Sequence, residues 1–443
     1  MKEAFLARMK EYLKDEYPAF LKTLENEMYR GVRFHPLKLT REQFIRLFPY
    51  ELKPTLFCAE SFYVEAEVKG LGNHPLHAGG GIYLQEPSAS AAVSILDVQK
   101  DDWVLDLCAA PGGKSSQIAT KLAHSGLLVA NEIDFKRSQI LMSNLERLGF
   151  GEVIITNNSA EQLCQHCAGW FDKILVDAPC SGEGMMKKHN EAAVEWSIAN
   201  ILSCAERQFH ILNTAFDALK ENGTLVYSTC TYAMEENEQL VSRILAYRDD
   251  IIQIDCEADF GRCGLSCPGM DHQKVRRIFP MDQGEGHFIA RFQKLGGTDV
   301  KRAKHKKTTP LSKQQLQELN HIVDMPNGYF DCCNDQLYYR KTMFIDMGKL
   351  RVLRQGILLG TWTKNRFEPH HHLFMSALLK SHFKQIFELN NEQWTAFQGG
   401  EELMISGYRG YVALAWNNLI VGFGKGDGTV IKNKYPKGLR VKR

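Results

Sequence analysis

From about residue 85 to residue 295, short apolar runs alternate with stretches of helical period. The runs "WVLDLCA", "LLVANEID", "VIITNN", "KILVDAPC" and "TLVYSTCTY" read as strands, and Lys114–Ala123, Phe135–Leu148 and Glu191–Lys220 read as helices between them. Alternation of this kind predicts an α/β fold with a parallel sheet covered on both faces. The segment "RRIFPMDQGEGHFIARF" breaks the alternation and reads as a hairpin of two short strands at one edge of that sheet. Before it, residues 1–80 mix helical and strand-like pieces, and Phe5, Met9 and Leu13 mark one face of an N-terminal surface helix. Past Gly296-Gly297 the composition shifts, and "RGYVALAWNNLIVGFGKGDGTVIKNKYPKGLR" predicts several short strands with Gly and Asn turns.

Composition narrows the class. With 443 residues the chain exceeds one core, and 44% hydrophobic and 24% charged residues suit a globular protein. No apolar run reaches the roughly 20 residues that span a bilayer. The N-terminus is too charged for a secretory signal and carries acids that a transit peptide avoids, so no membrane and a cytoplasmic location are expected. The 12 cysteines are scattered, which favours reduced thiols. Cys164-Gln-His-Cys167 has no second pair at zinc-finger spacing, and Cys263 and Cys267 lie far off, so no metal is expected. Three adjacent histidines, His370 to His372, cannot all face one ion, and a surface position or an RNA contact is expected for them. Net charge is only +2, yet basic residues cluster in "KVRRIFP", in Lys301 to Lys307 and in the tail. Such patches can serve a polyanion despite a near-neutral average.

The candidate chemistry sits at the ends of the apolar runs. The first ends in Asp106 and enters "LCAAPGGKSSQIA", a loop of small residues that leads into a helix. It matches neither the dinucleotide fingerprint nor the P-loop. The next run ends in Glu132 and Asp134, where an acid about 20 residues on can accept ribose hydroxyls. An adenosine-like ligand without a pyrophosphate is implied, and S-adenosylmethionine fits. Asp177, Cys180 and Cys230 stand at the carboxyl ends of two further runs, where open α/β sheets bind ligands. Local chemistry alone does not rank the two thiols.

Taken in order, "LDLCAAPGGKSSQIA", "ANEIDFKR", "VDAPCSGEG" and "YSTCTY" closely resemble the Nop/Sun family of RNA cytosine-5 methyltransferases. "RGVRFHPLK" and "HAGGGIYLQEPSAS" extend the likeness upstream, and the tail "GTVIKNKYPKGLR" is similar to the bacterial small-subunit rRNA (RsmF-like) branch. The resemblance implies a Rossmann-like class I SAM-dependent methyltransferase core with an antiparallel edge strand. A small N-terminal α/β domain and a β-rich, PUA-like C-terminal domain would flank it. The expected bounds are an RNA-binding domain at 1–80, the catalytic domain at 81–296 and a second RNA-binding domain at 297–443.

It further implies that Cys108, Ala109, Ala110, Pro111, Gly112, Gly113 and Lys114 wrap the methionine end and ribose of S-adenosylmethionine. Glu132 would take the ribose hydroxyls, Ser159 would face the adenine, and Asp177 would bind the cytosine edge close to the cofactor. His35 stands where the family often has asparagine, and no RNA contact is assigned to it. Cytosine C5 is a poor nucleophile until a thiolate adds at C6, and a base must later remove the C5 proton before the adduct collapses. By resemblance Cys230 attacks and Cys180 assists release, whereas Cys108 packs in its loop and Cys204 belongs to the core. Lys187 and Lys188 are candidates for a phosphate contact or for a solvated loop. The expected product is 5-methylcytosine in small-subunit rRNA of an assembled or partly assembled ribosomal particle, made by a monomer. The N-terminal region and the basic tail, Lys432, Lys434, Lys437, Arg440, Lys442 and Arg443, would clamp the RNA. The alternatives are a tRNA cytosine-5 methyltransferase and a catalytically silent RNA-binding assembly factor. An oxidoreductase is disfavoured by the missing dinucleotide fingerprint.

Overall fold

The structure, a computed structural model, describes residues 2–65, 67–187, 194, 196–296, 303–308, 310–363 and 366–441. Glu191, Lys188, Gly297, Lys301, Lys442 and Arg443, named above, lie outside the described residues. Two helices, Glu3–Leu13 and Tyr17–Leu24, open the chain. Phe5, Met9, Leu13 and Phe20 are buried together with Trp196, Tyr232 and Phe279, so the apolar face of the first helix seals the region that follows Cys230. A four-stranded sheet follows, in the order β2-β3-β1-β4, built from β1 (Arg30–Phe34), β2 (Lys53–Pro54), β3 (Ser61–Val64) and β4 (Ile82–Gln85).

The central sheet takes the strands foreseen from the apolar runs: β5 (Trp103–Asp106), β6 (Leu127–Asn131), β7 (Val153–Thr156), β8 (Phe171–Asp177) and β9 (Leu219–Thr229). They pair in parallel in the order β9-β8-β5-β6-β7. Consecutive strands are joined by helices that cover both faces, chiefly Gly113–Leu122, Phe135–Leu148 and Ile198–Ala218. Burial on both faces explains the near-continuous apolar runs. Beyond β9 lie β10 (Ile251–Ile254), β11 (Arg276–Ile278) and β12 (His287–Lys294). The long antiparallel strand β12 stands one place in from the edge, because β10 and β11 share its outer side.

The C-terminal part forms two further four-stranded sheets. One joins β13 (Tyr329–Cys333) and β14 (Gln336–Arg340) to strands Ile357–Thr363 and Arg366–Pro369. The other contains Ile386–Glu388, Arg409–Trp416, Leu419–Asp427 and Ile431–Asn433. Between β14 and the strand at Ile357 the chain leaves its own sheet. There β15 (Val352–Gln355) pairs antiparallel with β7, Val352 opposite Thr156, and completes the far edge of the central sheet. The last sheet also shares a core with the N-terminal sheet, where Val32, Phe44 and Leu76 pack with Trp394, Phe397 and Leu414. The two ends of the chain are thus one packing unit.

Candidate active site

The carboxyl ends of β5 to β9 surround a cleft of about 840 Å³ lined by Cys108, Ala110, Glu132, Ser159, Asp177, Cys180 and Cys230, among others. This is where an open α/β sheet presents a ligand site. The glycine loop forms one wall. Its peptide at Ala109 donates to the Asn131 carbonyl at 2.8 Å, and Gly112, at φ 110°, makes the left-handed turn that starts the next helix. Arg33, buried in β1, reaches across from the N-terminal sheet and donates to the Gly113 carbonyl at 2.8 Å and to Ser116 Oγ at 2.6 Å. Arg33 thus braces the start of the helix, and of the loop residues Cys108 and Ala110 line the cleft itself.

Glu132 carries the test of the cofactor expectation. One of its carboxylate oxygens accepts from the Asp134 peptide at 3.0 Å. The other is buried without a hydrogen-bond donor, with Arg137 Nη1 at 3.5 Å. A buried acceptor left open on a cleft wall is costly unless a ligand donor fills it, and ribose hydroxyls are such donors. The residues present fit the cofactor. Ser159 also lines the cleft, while its hydroxyl caps the helix Ala160–His166 by accepting from the Gln162 peptide at 3.2 Å.

Lys114 and Asp177 form an ion pair at 2.8 Å, and Ser228 Oγ donates to the second Asp177 oxygen at 2.7 Å. Burial works against both charges, yet each holds the other: Asp177 stays below the usual carboxylate range and Lys114 above the usual ammonium range. Asp177 is therefore an ionised acceptor. Nearby, the Cys180 and Cys230 sulfurs are 3.3 Å apart and both thiols are free. The hydrogen bond to Cys230, together with burial, raises Cys180 well above an ordinary thiol. Cys108 is likewise raised by burial.

A buried network beneath the thiols was not legible in the sequence. Glu236 accepts from the Ser181 peptide at 3.0 Å, from Ser181 Oγ and from Gln208 Nε2 at 2.7 Å, and Gln208 also donates to the Pro179 carbonyl at 3.0 Å. Glu183 accepts from Thr231 Oγ1 at 3.0 Å and from the Tyr232 peptide at 2.9 Å. These bonds tie the loop of Cys180 to the loop of Cys230. Along the chain, "AMEENEQ" looks like any solvated charged run, and only its burial reveals the role. Asn131 was missed for a similar reason. Its side chain bonds the Leu107 and Asn158 carbonyls and the Thr156 hydroxyl, stapling three strand ends.

Several expectations are corrected. His371 and His372 are buried, at 6% and 3% exposure, and burial lowers the basicity of both, so they are not a surface or RNA-contacting run. Their short helix is wedged among apolar side chains, which favour neutral rings. Lys187 donates to the Thr23 carbonyl at 2.8 Å and faces Glu285 at 3.5 Å, an internal tie rather than a phosphate contact. His35 is buried, bonds the Leu148 carbonyl at 3.2 Å and packs on Phe150. Cys164, Cys167 and Cys204 are buried. Among the described residues no group of three or more potential ligands could hold a metal ion, and no helix is long and apolar enough to cross a membrane.

Four family models match in sequence order. They are the N-terminal domain of 16S rRNA methyltransferase RsmF at residues 1–87, 16S rRNA methyltransferase RsmB/F at 93–293, the RsmF first C-terminal domain at 315–377 and the RsmF PUA domain at 384–441. Ribosomal RNA small subunit methyltransferase F of Vibrio cholerae serotype O1 is 30% identical over 99% of this chain and 97% of its own length. The protein of the same name from Psychromonas ingrahamii is 31% identical over 99% and 96%. Among solved structures, a methyltransferase homolog from Pyrococcus horikoshii is 28% identical with a TM-score of 0.60, over 67% of this chain and 96% of that one. NSun6 from the same organism, solved with SFG, shares the fold at 20% identity and a TM-score of 0.58, over 67% of this chain and 98% of that one.

Proposed function

The chain belongs to the family of the 16S rRNA methyltransferase RsmF, S-adenosylmethionine-dependent enzymes of small-subunit rRNA, and from that premise we propose that it makes 5-methylcytosine with Cys230 as nucleophile. The observation that carries this reading is the pair of free thiols 3.3 Å apart at the end of the cleft where Asp177 and Glu132 also stand. The resemblance of the Thr-Cys motif to the RNA enzymes of this family assigns the attack to Cys230, and Cys180, raised above an ordinary thiol by its hydrogen bond to Cys230 and by burial, is the accessory. The Cys230 sulfur adds to cytosine C6, and C5 gains the electron pair it needs to attack. Ionised Asp177, held by Lys114 and Ser228, accepts from the exocyclic amino group of the base and fixes its edge. Bound in the cleft, S-adenosylmethionine supplies an electrophilic methyl group. Glu132 would hold its ribose hydroxyls, Ser159 would face its adenine, and Cys108 and Ala110 would line the remainder, with Ala109, Pro111, Gly112, Gly113 and Lys114 shaping the turn that carries them. After transfer a base takes the C5 proton, the C6–S bond breaks, and the Cys180 S–H hydrogen-bonds the departing Cys230 thiolate.

The target cytosine has to leave its stack, at a cost of a few kcal/mol that contacts elsewhere offset. The N-terminal region to about residue 80 and the part beyond 296 are the RNA clamps on this reading. The substrate is an assembled or partly assembled small subunit in the cytoplasm, met by a monomer. Cys230→Ala is expected to abolish methyl transfer with cofactor affinity unchanged, and retained turnover would remove the nucleophile assignment. Cys180→Ala is expected to accumulate a protein–RNA adduct on denaturing gels that disappears in the double variant.

A further inference from the structure

The cofactor cleft has a support that comes from the far end of the chain. Arg351, just before β15, lies against the loop that follows β7. Its peptide donates to Asn158 Oδ1 at 3.0 Å, and its carbonyl accepts from the Asn157 peptide at 3.0 Å and from Asn158 Nδ2 at 3.1 Å. Its guanidinium donates to Asn157 Oδ1 at 3.1 Å and lies 4.5 Å from the centre of the Phe135 ring. The other end of the Asn157 amide faces the cleft wall. Asn157 Nδ2 donates to the carbonyls of Glu132 and Ile133 at 2.8 and 2.9 Å. Glu132, Ile133 and Ser159 all line the cleft. One side chain from the C-terminal part thus orients an amide, and that amide holds the backbone of the residue expected to bind ribose.

We propose that Arg351 is a positioning residue of the cofactor site, acting through Asn157 on Glu132 and Ile133, so that the cleft is complete only with the C-terminal segment docked on β7. The guanidinium fixes which way the amide faces, because Oδ1 must accept from the arginine while Nδ2 donates to both carbonyls. Loss of the arginine removes the donor on Oδ1 and loosens the amide that holds the Glu132–Ile133 turn. Loss of one orienting hydrogen bond corresponds to about a fivefold change in affinity.

This inference rests on the cleft being the S-adenosylmethionine site, and the experiment separates the two. Calorimetric titration of S-adenosylmethionine into the full-length chain is compared with Arg351→Ala, Arg351→Lys and Asn157→Asp. Arg351→Ala is expected to raise Kd about fivefold, with faster amide exchange at residues 132–135 and 157–159 and little change in kcat at saturating cofactor. Arg351→Lys keeps a cation over Phe135 and one donor, and is expected to recover most of the affinity. Asn157→Asp still accepts from Arg351 but cannot donate to Glu132 and Ile133, so it should lose affinity as Arg351→Ala does. It also serves if Arg351→Ala fails to fold. Unchanged affinity in a folded Arg351→Ala, or in Asn157→Asp, overturns the inference, whereas a wild-type chain that binds no S-adenosylmethionine overturns the reading of the cleft.

Discussion

Glu236 is fully buried, and that burial outweighs its hydrogen bonds from Ser181 and Gln208, pushing its pKa up to about 7. The folded chain then holds this proton more tightly than the unfolded chain does. The contribution to stability is fully present below the ordinary carboxyl pKa of about 4.3 and is lost as pH rises through 7. Glu236→Gln keeps a neutral group of the same shape. It is expected to flatten the fall in stability between pH 5 and 8 and to gain on the order of 2 kcal/mol at pH 8. Urea midpoints at the two pH values check this, and equal slopes in both proteins would refute it. At this scale Glu132, Asp177 and the two cysteines were readable as candidates because each stands where an apolar run ends, and Lys114 because it follows the glycine loop. Glu236, Gln208 and Asn131 were not, because a polar residue in sequence does not announce that it will be buried.

Helix Phe135–Leu148 came out of the sequence with its true ends because the signals are local. Asp134 caps its start by accepting from the Arg137 peptide at 2.8 Å, and Gly149 follows its end at φ 81°. The glycine does more than end the helix. A Cβ at Gly149 would lie 1.9 Å from the Met375 carbonyl oxygen, where the short helix His371–Met375 meets this helix, and the Ala377 peptide donates to the Gly149 carbonyl at 3.0 Å. Gly149→Ala is expected to cost more than the roughly 1–2 kcal/mol of a left-handed alanine, because the docked segment must also shift. A urea midpoint close to that of the wild type would show that the contact yields easily. His371 on that docked helix has its pKa lowered to about 3 by burial. Its contribution has the opposite sign to that of Glu236. It is present above the ordinary histidine pKa of about 6.5 and is lost as pH falls through 3. His371→Phe is therefore expected to lessen acid lability between pH 6.5 and 4, read from thermal midpoints.

Across the whole molecule the near-neutral net charge conceals a division of labour. Many cations are spent inside: Arg277 pairs with buried Glu238, Arg340 with Glu152, and Lys38 caps the Gly79 carbonyl at 2.8 Å. Lys434 and Lys437, just past the last strand, are exposed. If this face grips RNA, Lys434→Ala with Lys437→Ala should weaken RNA binding and reduce the slope of log affinity against log salt by roughly 1–2. Unchanged salt dependence would move the RNA elsewhere. The C-terminal part is built into the rest of the chain, because it supplies β15 to the central sheet and shares a core with the N-terminal sheet.

The sequence by itself determined the alternation of strands and helices, the order of the loops at the strand ends and the place of the candidate site residues on those loops. Those features rest on local periodicity and on motifs within a few residues of one another. Only the tertiary structure decided that Cys180 meets Cys230, that two glutamates bind their loops together and that His371 and His372 are core. It also decided that residue 351 is linked to residue 132 through Asn157. Each of these depends on burial or on contacts between residues far apart in the chain, and neither leaves a period or a spacing to be read.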